Sequence, residues 1–475
     1  SLGLFQSTKI AIRTLINVVK LITNNRLRAS SIPDAGSRSL LQATESDKAR
    51  IIYSASFRRL QQKTQLFPWE GNASVRSRLT HTLEVAHIGR YLTQSIIDRL
   101  KQKLATENTS IKDLMELIDK LDAMRNIVEN ACFLHDIGNP PFGHLGEAAI
   151  RGWFKKYCKK DEILENVYKD FICFDGNPQG FRIATYHSAF DEYGLNLTMP
   201  LILSIIKYPW SHDGKPDNKK LGLFSSDIDT YQKACKELNW EEGKVFPFVL
   251  LMDAADDIAN LMGNLEDAIE KGVIRLDDFG KKLDQSWMQY CKKHNMDCSD
   301  SEKVMDFKIQ LTNKAVGLAA ESFVSNLEAI SSGNYKAGKL LKADNELSDL
   351  VKSIELLPSG IYESKRVEQI ELFGNAVITG LLNHFGNLLD LSKEEFVFLL
   401  KDVFTKEEKQ QINPFDLRLI HRVSKVHRNK YLNYLKAHPQ SDERIVRAHL
   451  IVDFISGMTD DFAVETYQIL QGMKI

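Results

Sequence analysis

Two side chains able to hold a cation stand side by side near the end of an apolar run. They are His135 and Asp136, in ENACFLHDIGNPPFGHLGEAAI, residues 129–150. A Gly/Pro break follows, and a new segment then brings His144 and Glu147. An imidazole next to a carboxylate is a borderline-to-hard donor pair suited to Mn, Fe, Co, Zn or Mg. Side chains three apart share a helix face, so His144 and Glu147 meet near a helix start whose unpaired N–H groups favour an anion. Taken singly, each residue has an ordinary explanation. An Asp before a glycine turn commonly caps something, and Glu147 in a first turn is favoured by the helix dipole. A metal site therefore needs further ligands.

Pro140 and Pro141 cannot continue a helix and push the residue before them out of the α region. The helix carrying Ala131 to Asp136 is expected to stop near Gly138, and the next to begin around Gly143. A second informative segment is PFVLLMDAADDIANLMGNLEDAIEKG, residues 247–272, with Pro near its start and Gly at its end as a helix prefers. Asp253, Asp256, Asp257, Asn260 and Asn264 make one polar stripe on an otherwise apolar rod. Unpartnered buried carboxylates are very costly, so the stripe faces either water or a cation, and the apolar flanks favour the cation. Upstream, RSRLTHTLEVAHIGRYL sets His81 one turn from an apolar helix face, where a histidine is more often a hydrogen-bonded core residue than a ligand. His87 is off that face and reads as structural.

Other segments offer weaker signals. Arg58 and Arg59, before a segment that breaks at Pro68, are either solvated or line a polyphosphate pocket. Asn177, Gln179 and Arg182 follow a loop, on a helix expected to begin near Gln179, and could reach a ligand. The loop 211–227 carries Lys215, Lys219 and Lys220 and reads as a lid or a mobile segment. Residues 100–124 look like a surface helical pair. Helices are expected over Phe307–Leu327, Leu347–Leu357, Arg366–Leu389, Lys393–Phe404, Asp416–Leu435 and Arg444–Leu470. The stretch HRVSKVHRNKYLNYLK, 421–436, reads as a solvated basic face that could touch nucleic acid or phosphate.

The 475 residues are 43% hydrophobic and 26% charged, enough for a large core in two to three closely packed units. Net charge is -1, so an anionic substrate must be held by a local cluster of Lys and Arg. Six cysteines without a CxxC pair argue for reduced thiols in a cytoplasmic protein and against a thiolate zinc site. The apolar stretch 10–22 is interrupted by Arg13, Asn17 and Lys20, which argues against a membrane span and a signal peptide. The absence of GxxxxGK[ST], GxGxxG and GxSxG lowers P-loop, dinucleotide-fold and serine-hydrolase readings.

RLTHTLEV, ACFLHDIGNPPFGHLGEAAI and MDAADDIANLMGNLEDA together resemble the histidine/aspartate (HD) metallohydrolase superfamily, specifically its dGTP triphosphohydrolase branch. SASFRRLQQKTQLFPWEGNASVRSRLTH, FDGNPQG, IIKY, VEQIELFGNAVITGLL and SGMTDDFAVETYQIL are similar to that branch as well, so the likeness runs from about Ser46 to the carboxyl end. The resemblance implies an all-α fold with an HD-type catalytic core over 46–275 and a helical region over 276–475 that completes the nucleotide site and subunit contacts, and the helical spacing of residues 8–24 adds an amino-terminal helix and arm over 1–45. It implies one divalent metal, Mn or Mg with other transition metals as alternatives, on His81, His135, Asp136 and Asp256, with His144 and Glu147 catalytic. Gln65, Asn177, Lys207 and Tyr208 match nucleotide-pocket positions, and Arg58 is a further candidate substrate contact on its own residue pattern. Tyr362, Glu371 and Arg418 match carboxyl-terminal positions that touch nucleotide, some across a subunit boundary. The implied reaction is hydrolysis of dGTP or another dNTP to deoxynucleoside and triphosphate, in a homo-oligomer, often a hexamer, with single-stranded DNA or a nucleotide as effector. The alternatives are another HD-type phosphohydrolase or phosphodiesterase, and a nucleotide- or DNA-binding regulator without turnover. The chain departs from the branch at Asn260, where Tyr is usual, at Asn264, where Asp is usual, and at Lys409, where Arg is usual. The first two change the hydrogen bonds offered to a sugar 3′-hydroxyl, and the third loses a planar fork.

Overall fold

The computed structural model describes residues 14–29, 38–65, 74–104, 111–159, 161–187, 193–217, 219–270, 292, 304–336, 338–341 and 365–473. Among them the protein is helical throughout, and its extended pairings are two isolated bridges, Arg26 with Thr198 and Thr64 with Ser77. The principal helices in chain order are α1 Leu40–Ile52, α2 Arg78–Leu104, α3 Ile111–Leu134, α4 His144–Cys158, α5 Gly176–Arg182, α6 Pro247–Glu270 and α7 Val304–Ser325. After them come α8 Lys365–Phe385, α9 Lys425–Ala437, α10 Glu443–Ser456 and α11 Asp460–Leu470. Local chemistry sets their ends. Ser39 and Gln42 form a reciprocal capping box at the start of α1, and Pro247 opens α6 where its missing N–H costs nothing.

Two of the expected long helices are each two. The run 416–435 divides into Pro414–Arg422 and α9, because the Ser424 hydroxyl accepts from His427 N and starts a new helix. The run 444–470 divides into α10 and α11, because the chain turns at Gly457 and Thr459 caps the restart through Phe462 N. The described residues of the 100–124 stretch are the end of α2 and the first part of α3; Leu100, Leu121, Ala123 and Met124 are buried, while Lys101, Gln102 and Asp119 are exposed. The 347–357 segment lies outside the described residues.

Apolar burial forms two cores. In the first, α2, α3 and α6 pack on one another, with α1 against α3 and α7 against α2. The second joins α4 and residues 168–174 to α8, α10 and α11, through Phe154, Phe171, Phe174, Phe385 and Ile451. Packing thus crosses position 275 in both directions: α7 joins the first core and α4 the second. The chain passes from one core to the other within a few residues, since Ile137 belongs to the first and Phe142 to the second.

Polar groups from the carboxyl-terminal helices hold that passage. The buried Asp460 carboxylate accepts from Thr64 N, Thr64 Oγ1 and Phe142 N at 3.1, 2.7 and 3.0 Å. The Lys63 ammonium donates to Asn139 O at 2.6 Å and Ser456 O at 2.9 Å. Burial, with Arg59 nearby, pushes Lys63 down to about 7, against the pull of Asp460. Between about pH 7 and the ordinary lysine value of 10.5 the unfolded chain then binds a proton that the folded one does not, so this group makes stability rise with pH there. Urea melts of Lys63→Met and the parent should show the parent gaining on the variant as pH rises from about 7 towards 10, by roughly 1.4 kcal/mol per unit of difference in pKa. A gap independent of pH across that window would mean that Lys63 titrates normally.

Candidate active site

The α3 helix ends at Leu134, and His135, Asp136 and Ile137 lead into the proline turn. His135 Nδ1 lies 2.7 Å from the Cys132 carbonyl. A carbonyl only accepts, so this nitrogen carries the proton, and in the neutral ring Nε2 is left as a bare lone pair. That Nε2 is buried without a hydrogen-bond partner. It faces Asp136 Oδ2 at 3.6 Å and Asp256 Oδ1 at 3.7 Å, while His81 Nε2 sits 3.2 Å from the same Asp256 oxygen. Ligand atoms of His81, His135 and Asp136 lie within 4.8 Å of one another, and Asp256 joins them through the two imidazoles. Imidazole nitrogens and carboxylate oxygens gathered this closely suit a cation. The donor set of two nitrogens and two carboxylates suits a divalent first-row metal or Mg. The residues present therefore fit the metal that the sequence implies. The imidazole side chains are 1–2% exposed and the carboxylates 17–19%, so the nitrogens form a dry floor and the oxygens face the opening.

Each carboxylate has a counter-charge of its own. Burial works to raise the Asp136 pKa, but the His135 imidazole and the Arg78 guanidinium, 2.7 Å from Oδ2, hold it well below the usual range. Asn139 donates 2.6 Å to the other oxygen. For Asp256, burial is outweighed by Lys207, 3.3 Å from Oδ2, and by the two imidazoles. Lys207 also reaches Asp253 at 3.0 Å, and Asp257 takes Lys339 at 2.6 and 2.8 Å. The aspartate stripe of α6 is thus divided between two imidazoles and two lysines. Lys207 and Asn260, expected on the nucleotide, lie instead on the carboxylate beside the imidazoles, with Asn260 Nδ2 donating 2.8 Å to Asp256 Oδ1.

The His144–Glu147 pair starts α4. Phe142 and Gly143 both have positive φ, 61° and 57°, which reverses the chain after the prolines. A Cβ at Gly143 would lie 2.4 Å from the Arg78 guanidinium, so the glycine also lets the arginine on Asp136 pass beneath the helix start. At Gly138 a Cβ would meet Gly176 O and Gly180 N at 2.1 Å, which is how closely α5 packs on the turn. α5 begins at Gly176, three residues earlier than expected, because Asp175 caps it through Asn177 N. Gly176 N donates 2.7 Å to Glu147 Oε1, and Glu147 Oε2 accepts from His144 Nδ1 at 2.9 Å. The Glu147 carboxyl, which burial alone would raise, is held low by His144. The glutamate side chain is 2% exposed and the histidine 76%, so a fixed buried carboxylate orients an open imidazole whose Nε2 faces outward.

Beside that imidazole lies a basin of about 390 Å³, lined by His144, Glu147, Arg151, Lys155, Asp175, Lys215, Lys219 and Lys220. The helix supplies one stripe and the loop 211–227 the facing lysines. The sequence signal for this basin is the set of three lysines, Lys215, Lys219 and Lys220, that follows KYPW. Elsewhere the expected contacts are scattered. Arg58 is exposed on the Tyr53 carbonyl, and Asn177 donates to Asp175. Gln65 has an enclosed Oε1 without a partner, and Tyr208 packs near Trp210. Gln179 and Arg182 are bound to Asp453 rather than free for a ligand here. Glu371 and Arg418 are exposed, Arg418 donating to Pro414 O, and Lys409 is exposed as well. The Asn264 side chain and Tyr362 lie outside the described residues.

Residues 78–171 match the HD domain family, and residues 397–469 match the phosphohydrolase-associated domain. The first span contains His81, His135, Asp136, His144 and Glu147, and the second contains α9, α10 and most of α11. Together the matches support the HD metallohydrolase superfamily, a class of helical, metal-dependent phosphohydrolases. Among the described residues no helix is long and apolar enough to cross a membrane.

Metal content read by mass spectrometry after Mn loading should approach one ion per chain. Asp136→Asn, which removes one ligand charge and keeps the shape, should lower affinity at least about tenfold, as even loss of a residue supporting a ligand commonly does. An Asp136→Asn protein that loads like the parent would remove Asp136 from the ligand set.

Proposed function

We propose that the protein hydrolyses dGTP, or another deoxynucleoside triphosphate, at the α-phosphate, releasing the deoxynucleoside and inorganic triphosphate. The observation that carries this reading is a cation-ready group on one side of the proline turn, with an open imidazole oriented by a buried glutamate on the other and a lysine-lined basin against it. His81, His135, Asp136 and Asp256 would hold a divalent cation, which would supply Lewis acidity at the phosphoryl group under attack. His144 takes the proton of the attacking water or hands one to the leaving 5′-oxygen. Glu147 holds its ring and stabilises the imidazolium, as a buried carboxylate does for a general base. Lys215, Lys219 and Lys220 with Arg151 and Lys155 offer the positive field a polyphosphate needs in a chain of near-zero net charge. Exposed Glu371 and Arg418 are proposed to serve a neighbouring subunit of a homo-oligomer, with a hexamer expected.

The test is product identity. Pure protein with Mn and each dNTP in turn should give deoxynucleoside and triphosphate on ion-exchange chromatography. Monophosphate plus pyrophosphate, or no turnover of any dNTP, would overturn the reading. His144→Ala should keep its metal and lose about 10²–10⁴ in kcat. A variant within a few-fold of the parent would take His144 out of the proton transfer.

A further inference from the structure

The Asp136 carboxylate is held at both of its oxygens. Oδ2, which faces the His135 imidazole at 3.6 Å, accepts from the Arg78 guanidinium at 2.7 Å, and Oδ1 accepts from the Asn139 amide at 2.6 Å. A carboxylate held at one oxygen can pivot about that bond, whereas one held at both keeps its plane. Asn139 is thus the second anchor that fixes where Oδ2 points. Its own amide has little freedom, because an ionised carboxylate only accepts and Nδ2 must face it. The amide Oδ1 is turned toward Gly176, where a Cβ would lie 2.4 Å away, so that glycine makes room for it. Asn139 is 6% exposed, and its N–H donates back to the Asp136 carbonyl at 3.2 Å.

What holds Asn139 in turn comes from outside the HD match and from near the carboxyl end. Lys63, 3% exposed, donates from Nζ to Asn139 O at 2.6 Å and to Ser456 O at 2.9 Å. The next residue, Thr64, is fastened to Asp460 through both N and Oγ1. The lysine therefore has its backbone tied to the start of α11 while its tip bridges the proline turn and the end of α10. Ser456 and Asp460 both lie in residues 397–469, the span matched to the phosphohydrolase-associated domain. Hydrogen bonds thus run without a gap from Ser456 through Lys63 and Asn139 to Asp136.

We propose that Asn139 is a positioning residue for the metal, and that the docked carboxyl-terminal segment sets the affinity of the metal group through Lys63 and Asn139. The inference rests on the group of His81, His135, Asp136 and Asp256 and is independent of which phosphate ester is the substrate. Residues that orient a metal ligand from behind commonly change affinity by about 10–100-fold. Here the orienting residue is itself clamped by a segment remote in sequence.

Mn titration of the full chain, with the free ion read by electron paramagnetic resonance, measures that affinity without turnover. Asn139→Ala should weaken binding about tenfold or more. Lys63→Met, which keeps the length and removes the donor, should weaken it in the same direction. Contiguous contacts do not by themselves prove coupling, so the double variant decides: acting through one path, it binds no more weakly than Asn139→Ala. Tyr431→Phe is the control, since it removes a buried hydroxyl that donates to Glu443 in the second core, far from this path in the hydrogen-bond network. It should lower the urea midpoint and leave Mn affinity unchanged. Should Asn139→Ala fail to fold, Asn139→Ser, too short to reach Asp136, replaces it with the same expectation. Parental affinity in the Asn139 variant would overturn the positioning role. Parental affinity in Lys63→Met, or losses that multiply in the double variant, would overturn the link to the carboxyl-terminal segment. An equal loss in Tyr431→Phe would overturn it as well, reducing the effect to lost stability. A parent chain that takes up no Mn would overturn the metal group and this inference together, whereas the expected affinities without dNTP hydrolysis would sink the proposed function alone.

Discussion

Two partly buried carboxylates, Asp136 and Asp256, must stay ionised while facing the same two imidazoles. The charge on Asp256 works to raise the pKa of Asp136, since like charges near one site disfavour ionisation. Burial adds to the cost. The structure offsets both with cations placed on the outer sides, Arg78 on Asp136 and Lys207 on Asp256. The site is thereby preformed, with charges spread as an incoming metal requires. Much of the surrounding detail follows from this constraint. Gly143 is bare because Arg78 lies against it, and Lys207 is committed to α6 because two aspartates there share it.

The amino- and carboxyl-terminal halves are joined through the same turn. Asn139 lies under Lys63 and Phe142 under Asp460, so backbone atoms flanking Pro140 and Pro141 are fixed by side chains from outside the turn. Removing one partner of a buried hydrogen bond costs about 1–3 kcal/mol, so these contacts match the single helix caps in weight while acting on the chain's most constrained reversal. The match of residues 397–469 to a phosphohydrolase-associated domain gains a physical meaning from this: Ser456 and Asp460 are where that segment grips the HD turn.

The helical class, the proline turn, the α4 start and the aspartate stripe could be read in advance because each depends on local rules: proline geometry, three-residue spacing and 3.6-residue periodicity. Partner choice could not. Periodicity puts Asp256 and Asp257 on adjoining positions of one stripe, and only the arrival of His81 from α2 and Lys339 from beyond α7 separates their roles. The loop-adjacent positions of Gln179 and Arg182 suggest a reach toward a ligand, and the resemblance suggests the same for Lys207 and Asn260. They are taken up by carboxylates more than forty residues away for Lys207 and far further for Arg182, apart from Asn260, whose partner is one helical turn back. The division of the long carboxyl-terminal helices hung on single caps, Ser424 and Thr459, inside otherwise continuous apolar patterns.

The change of core between Ile137 and Phe142 falls between two groups of side chains. His81, His135, Asp136 and Asp256 ride on the first core, and His144 with its glutamate rides on the second. A rigid displacement of one core against the other would therefore alter the distance between the two groups while leaving the geometry inside each intact.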